Sequence, residues 1–292
     1  MADLSIVGSA KMNYTYTDDN SNVGTNAFVN NADVKIKGTH GDSTVVINIA
    51  ADDDDTNLGL EDTYFKTSVA GLGLKVGDWD NGNNNLRASS RGTNKFQANY
   101  SVGDLGLQYN ASGDAGTDQT KVTYTVSGWK AGYQTNSGNG ENLSLSGTVA
   151  GVSLAYIGYN RDVVNTDRSS VTASASFEGV GIKVGKATAD TGATIEGDTW
   201  MGDYEGASGA YALSAGQDVT AVELSTSLSG NTVKFRHASV DDVADSDMSF
   251  NKVIVTRKLG NGTTFEAVYT STDDSTAAND ADVLDLELAV SF

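Results

Sequence analysis

The chain has no cysteine and no proline among its 292 residues, and only two histidines. Without cysteine there are no disulfides, thiolate metal sites or cysteine nucleophiles. Without proline, no residue lacks the N–H that a sheet ladder needs. Long hydrophobic runs are missing too: no stretch reaches 18 apolar residues, which excludes a transmembrane helix. The mean hydropathy of −0.30 leaves a membrane barrel open, because alternating strands halve the hydropathy of each segment. Positive charge is scarce, with 19 Lys and Arg against 38 Asp and Glu and a net charge of −19. That balance argues against a nucleic-acid partner, which needs a basic surface.

Catalytic motifs are also lacking. There is no Gly-x-Ser-x-Gly elbow, Walker loop or His-Glu-x-x-His helix. His40 falls in a turn and His237 follows Phe235 on a strand, so a Ser–His hydrolase built in a barrel rests on His237 alone. The chain reads as no enzyme.

What is present is alternation. The final stretch, Ala281–Phe292, sets Leu284, Leu286, Leu288, Val290 and Phe292 against Asp285, Glu287, Ala289 and Ser291. Period two means a strand with one oily and one wet face. Such a strand needs a paired neighbour or its edge stays exposed. The first stretch supplies one: Leu4, Ile6, Ala10, Met12, Tyr14 and Tyr16 alternate with polar residues, and only Val7 and Gly8 blur the pattern.

Between these ends a hairpin unit recurs, as in Phe65–Val69, the turn Ala70–Gly71, then Leu72–Val76. Eight short Gly-containing turns plus a lone strand at each end give about 18 strands, or about 16 if one hairpin lies outside the membrane. Gly185–Asp218 is less regular and reads as a long loop with an embedded strand near Ala207–Leu213. In Met248–Lys258, Phe250 and Ile254 fit one register and Val253 and Val255 the other, which a bulge would reconcile. The fold class is therefore all-β: one antiparallel up-and-down transmembrane barrel spanning residues 1–292 as a single domain. Tight turns gather at one end and longer polar loops at the other, the layout of an outer-membrane barrel.

The two faces divide the chemistry. Outward aromatics near strand ends are expected to form interfacial girdles: Tyr14, Tyr16, Phe28, Trp79, Phe96, Tyr109, Tyr133, Phe177 and Tyr269. The lumen face carries Lys11, Lys35, Lys37, Lys66, Lys75, Lys95, Lys121, Lys130, Lys183, Lys234 and Arg236. Against these stand Asp33, Glu223, Glu266, Asp285 and Glu287, while the acidic excess lies in the loops at Asp52–Asp55, Asp241–Asp247 and Asp273–Asp282. A net basic wall with an acidic outer mouth is expected to bias ion passage. Asp52, Asp53, Asp54 and Asp55 offer the oxygens a structural calcium ion wants but lack an EF-hand pattern, and a solvated or lipopolysaccharide-facing loop is the competing reading. No other cofactor is expected.

In its first strand, in hairpins such as Thr63–Asp78 and in its terminal Phe292, the sequence resembles the trimeric general porins of Gram-negative outer membranes, and in style the short acidic porins of alphaproteobacteria. The resemblance implies a water-filled channel for passive diffusion of ions and small hydrophilic solutes. It also implies a homotrimer among outer-membrane lipid and lipopolysaccharide, with Asp52–Gly59 placed to reach a neighbour, and assembly through recognition of the last strand at Phe292. It further implies a third external loop folded into the pore, which maps to Asp78–Asn94 with Arg87 and Arg91 as constriction residues. That loop is short and lacks the family's Pro-Glu-Phe-Gly motif, and the longer Lys186–Asp218 segment competes for the role. Met1–Ala2 runs straight into the first strand, as in a mature form with an added start Met. The alternative class is a secreted or surface-layer acidic β-rich structural protein stabilised by calcium. It would need no detergent, and the repeats of calcium-binding β-rolls are absent.

Overall fold

The computed structural model describes residues 3–19, 25–51, 59–81, 90–112, 118–138, 140–193, 200–201, 205–206, 209–210, 215–241, 248–274 and 280–292. It contains strands β1 (Asp3–Asp19), β2 (Thr25–His40), β3 (Ser43–Ala51), β4 (Gly59–Val69), β5 (Leu72–Asn81), β6 (Ser90–Val102), β7 (Leu105–Ser112), β8 (Gln119–Val126), β9 (Trp129–Asn136) and β10 (Gly140–Val149). The order continues with β11 (Val152–Asn160), β12 (Arg168–Phe177), β13 (Val180–Ala189), β14 (Glu205–Gly206), β15 (Gly209–Ala210), β16 (Asp218–Leu228), β17 (Asn231–Asp241), β18 (Met248–Gly260), β19 (Thr263–Asp274) and β20 (Ala281–Ser291).

Eighteen of these form one antiparallel sheet in which each strand pairs with its sequence neighbours, β13 pairing with β16 across the excursion that holds β14 and β15. The sheet closes because β1 pairs with both β2 and β20. The strand count is thus 18 and not 16, as the eight tight turns required. Closure leaves no free edge.

The turns explain the register. In six hairpins both turn residues have positive φ: Ala70–Gly71, Ser127–Gly128, Ala150–Gly151, Glu178–Gly179, Ser229–Gly230 and Asn261–Gly262. This is the type I′ pattern, whose twist matches the flanking strands. Gly41 and Gly103 take positive φ at the first turn position, where type II′ needs glycine. All eight turns lie at the end of the barrel that carries the chain's first and last strands' free ends.

Alternation then fixes the faces. Phe65, Val76, Phe96, Leu107, Val122, Tyr133, Leu145, Tyr156, Val171 and Val184 stay exposed on the outside although they are large and apolar. An apolar exterior around a polar interior inverts the layout of a water-soluble core.

Three sequence expectations change. The mixed phase of β18 needs no mid-strand bulge: Phe250 and Ile254 face inward, Val253 and Val255 outward, and the register slips only at Lys258/Gly260. The strand sought near Ala207–Leu213 is a two-residue ribbon, Glu205–Gly206 against Gly209–Ala210. Both ends of Asp78–Asn94 are wall, since β5 runs to Asn81 and β6 starts at Ser90, and 82–89 lie outside the described residues.

Candidate functional site

The interior face is the site. Lys66 pairs with Lys75 across β4 and β5, and both alternate with the outward Phe65 and Val76. The same parity places Lys11, Lys35, Lys37, Lys95, Lys121, Lys130, Lys183, Lys234 and Arg236 on the inner face. Arg87 and Asp52–Asp55 lie outside the described residues; Arg91 is on β6 opposite Asp80, with its side chain outside them. His237 faces outward, its Nδ1 3.0 Å from Oδ1 of Asn251.

Trp79 departs from expectation. It shares the parity of Lys75, so it points inward and joins no outer girdle. A position near a strand end does not by itself select the outer face; alternation does. Its ring packs at 6.4 Å from that of Tyr64, with Lys75 Nζ 4.2 Å and Lys95 Nζ 4.4 Å from its centroid. Lys75 Nζ also lies 3.8 Å from the Tyr64 ring, and Lys95 donates to the Trp79 carbonyl at 3.0 Å. Cation–π contact thus brings two lysines onto one aromatic pair.

A second constellation crosses β13, β16, β17 and β18. Lys183, Glu223, Arg236 and Lys252 stand side by side in register. Arg236 donates to Glu223 Oε2 twice, from Nε at 3.2 Å and from an Nη at 2.8 Å. Both side chains are largely buried, at 6% and 14% exposure. Lys252 was not legible as an inward residue, because the phase of its strand was ambiguous. Across the seam between β1 and β20, Lys11 pairs with Glu287 at 3.3 Å, and Thr15 donates to Asp285 at 2.5 Å.

The excursion between β13 and β16 enters the interior. Met201 is fully buried, and Trp200 stacks under Lys183 Nζ at 3.8 Å. Gly185 makes the room: a Cβ there would fall 2.7 Å from the Trp200 ring and 2.9 Å from the Met201 sulfur. Around them the inner face turns apolar, with Tyr159, Ala187, Val219, Ala221, Ala238, Val240, Met248 and Phe250 in one cluster. This explains the apolar inward residues Met248 and Phe250 at the start of β18. The ribbon farther along the excursion lies against β19 and β20, where inward Val283 and Thr270 are buried. Of the two segments considered for a constriction, the excursion 190–217 is the one whose described residues enter the lumen.

Solved structures share this architecture. Pseudomonas aeruginosa OccK10 (OpdN) superposes with a TM-score of 0.74 at 10% identity, over 99% of each chain. Its fold is this fold. The P. aeruginosa outer membrane protein opdK gives 0.73 at 11% identity over 99% of this chain and 98% of its own. Acinetobacter baumannii OccAB4 gives 0.73 at 10% identity over 99% and 98%. The likeness is one of fold: no family model matches the chain, and no curated protein matches it by sequence.

Proposed function

We propose that this chain is a porin of the bacterial outer membrane, through which ions and small hydrophilic solutes diffuse passively. The observation that carries the reading is the closed wall of 18 strands, apolar outside and lined by charge and amides inside. A barrel of that size surrounds water, since such side chains cannot fill a dry core. Transport runs down a gradient with no chemical step.

The lining lysines and Arg236 set an electropositive wall, and the loop aspartates set an acidic mouth. The excursion carrying Trp200 and Met201 narrows the lumen and takes the constricting part; the resemblance to porins adds Arg87 and Arg91 as further constriction residues. The resemblance to trimeric porins extends the reading to a homotrimer in contact with lipid and lipopolysaccharide, with Phe292 read by the assembly machinery.

Liposome swelling tests the reading. Vesicles holding the refolded protein should swell in isotonic solutions of small neutral and charged solutes, at rates that fall with solute mass. Vesicles that stay impermeable to all of them while holding folded barrel would overturn it.

A further inference from the structure

Two adjacent rows of carboxamides cross the inner wall from β6 to β10. One row reads Gln97, Asn110, Gln119 and Asn136, each directly opposite the next in the sheet register. The other reads Asn99, Gln108, Gln134 and Asn142, with Lys121 between Gln108 and Gln134. Lys75 stands beside the first row and Tyr159 ends the second. Six of the eight amides, all but Asn99 and Asn136, line a cavity of about 520 Å³, within the range of roughly 300–1,000 Å³ that small-molecule sites occupy.

The amides are bonded to one another in fixed senses. Asn99 donates to Gln97 at 3.0 Å, and Gln97 and Gln108 both donate to Asn110 Oδ1, at 2.8 and 3.1 Å. Gln134 donates to Asn136 at 2.8 Å. In these bonds Gln97, Gln108 and Gln134 each use one of two N–H hydrogens, so each holds a second donor in a set direction.

Wetting the lumen does not need this. Elsewhere the same wall is wetted by Ser146, Ser174 and Ser176, and Asn is a poor strand residue. What the carboxamide adds is a donor and an acceptor on one rigid neutral group, the match for a hydroxyl that also donates and accepts. Orientation by neighbouring amides lowers the ordering cost of binding. The amides themselves carry no charge, so their own contacts do not favour an ion over an uncharged solute.

We infer that the two amide rows are a binding track for neutral polyhydroxylated solutes of the saccharide class. This rests on the pore reading and names a solute class for it. The test is ion current through single refolded channels with raffinose, a neutral trisaccharide, added on one side. The track should give saturable current interruptions, and a polyethylene glycol of similar size should give none that saturate. Asn110→Ser with Gln134→Ser should weaken half-saturation by about tenfold and keep the open current. If the double variant does not fold, Asn110→Ser or Gln134→Ser alone should each weaken it in the same direction. Raffinose without saturable effect, or equally effective on the serine variants, would overturn the track while leaving the pore intact. Absence of current steps before any sugar is added would instead overturn the pore reading.

Discussion

The ring of Phe292 lies over Gly8: a Cβ on Gly8 would meet two of its ring carbons at 2.5 and 2.6 Å. The backbones of the same two residues exchange hydrogen bonds, Gly8 N–H to the Phe292 carbonyl at 2.8 Å and Phe292 N–H to the Gly8 carbonyl at 2.9 Å. The last residue of the chain therefore completes the seam that closes the barrel, and glycine is the side chain that lets it lie flat. The break in alternation at Val7–Gly8 is the imprint of that ring.

Replacing Gly8 with valine should lift the ring and strain the seam. Overpacking of this kind costs about 1–3 kcal/mol. The folded band on unheated electrophoresis should give way at lower temperature than in the parent, and Phe292→Ala should leave Gly8→Val with a smaller further effect than it has alone.

Gly185 plays the same part for the excursion. Gly185→Leu places side-chain atoms where the Trp200 ring and Met201 sulfur sit, so the segment should leave its seat. Channel conductance should rise, and Trp200 emission should shift to the red as the ring meets water. Conductance equal to the parent, with red-shifted emission, would show that the excursion does not narrow the lumen.

Glu223→Gln leaves the Arg236 guanidinium without its carboxylate in a site where its side chain is 6% exposed. Breaking a buried pair from one side costs about 3–5 kcal/mol. Urea unfolding from detergent micelles should show a loss of that order, whereas Lys11→Gln, in a pair that is 46% and 28% exposed, should cost little.

Lys66, Lys75 and Lys95 lie on three successive strands of the inner wall, Lys75 and Lys95 against the Tyr64–Trp79 pair. Converting all three to glutamine should move the reversal potential in a KCl gradient toward cation selectivity. An unchanged, strongly cation-selective potential would mean that the mouth aspartates alone set selectivity.

The frame was legible because a barrel is a periodic object. Turn residues such as Glu178–Gly179 and alternation such as Leu284–Leu288 are local signals, and they carry the strand order and a count of about 18. Two things were not legible. Trp79 was assigned by its place near a strand end, although its parity with Lys75 already pointed inward. The inward seat of Trp200 is set by residues of five strands, including Gly185, Val219 and Phe250, and no local pattern brings those together. The ambiguous phase of β18 was the one available hint: an inward Phe250 needs something apolar to cover it.

The most direct measurement of the central claim is planar-bilayer conductance of the refolded protein under a KCl gradient. A water-filled trimeric pore gives discrete steps in groups of three with a stable open current. No steps, from protein that remains folded without detergent, would contradict the pore and favour a structural β-protein of the cell surface.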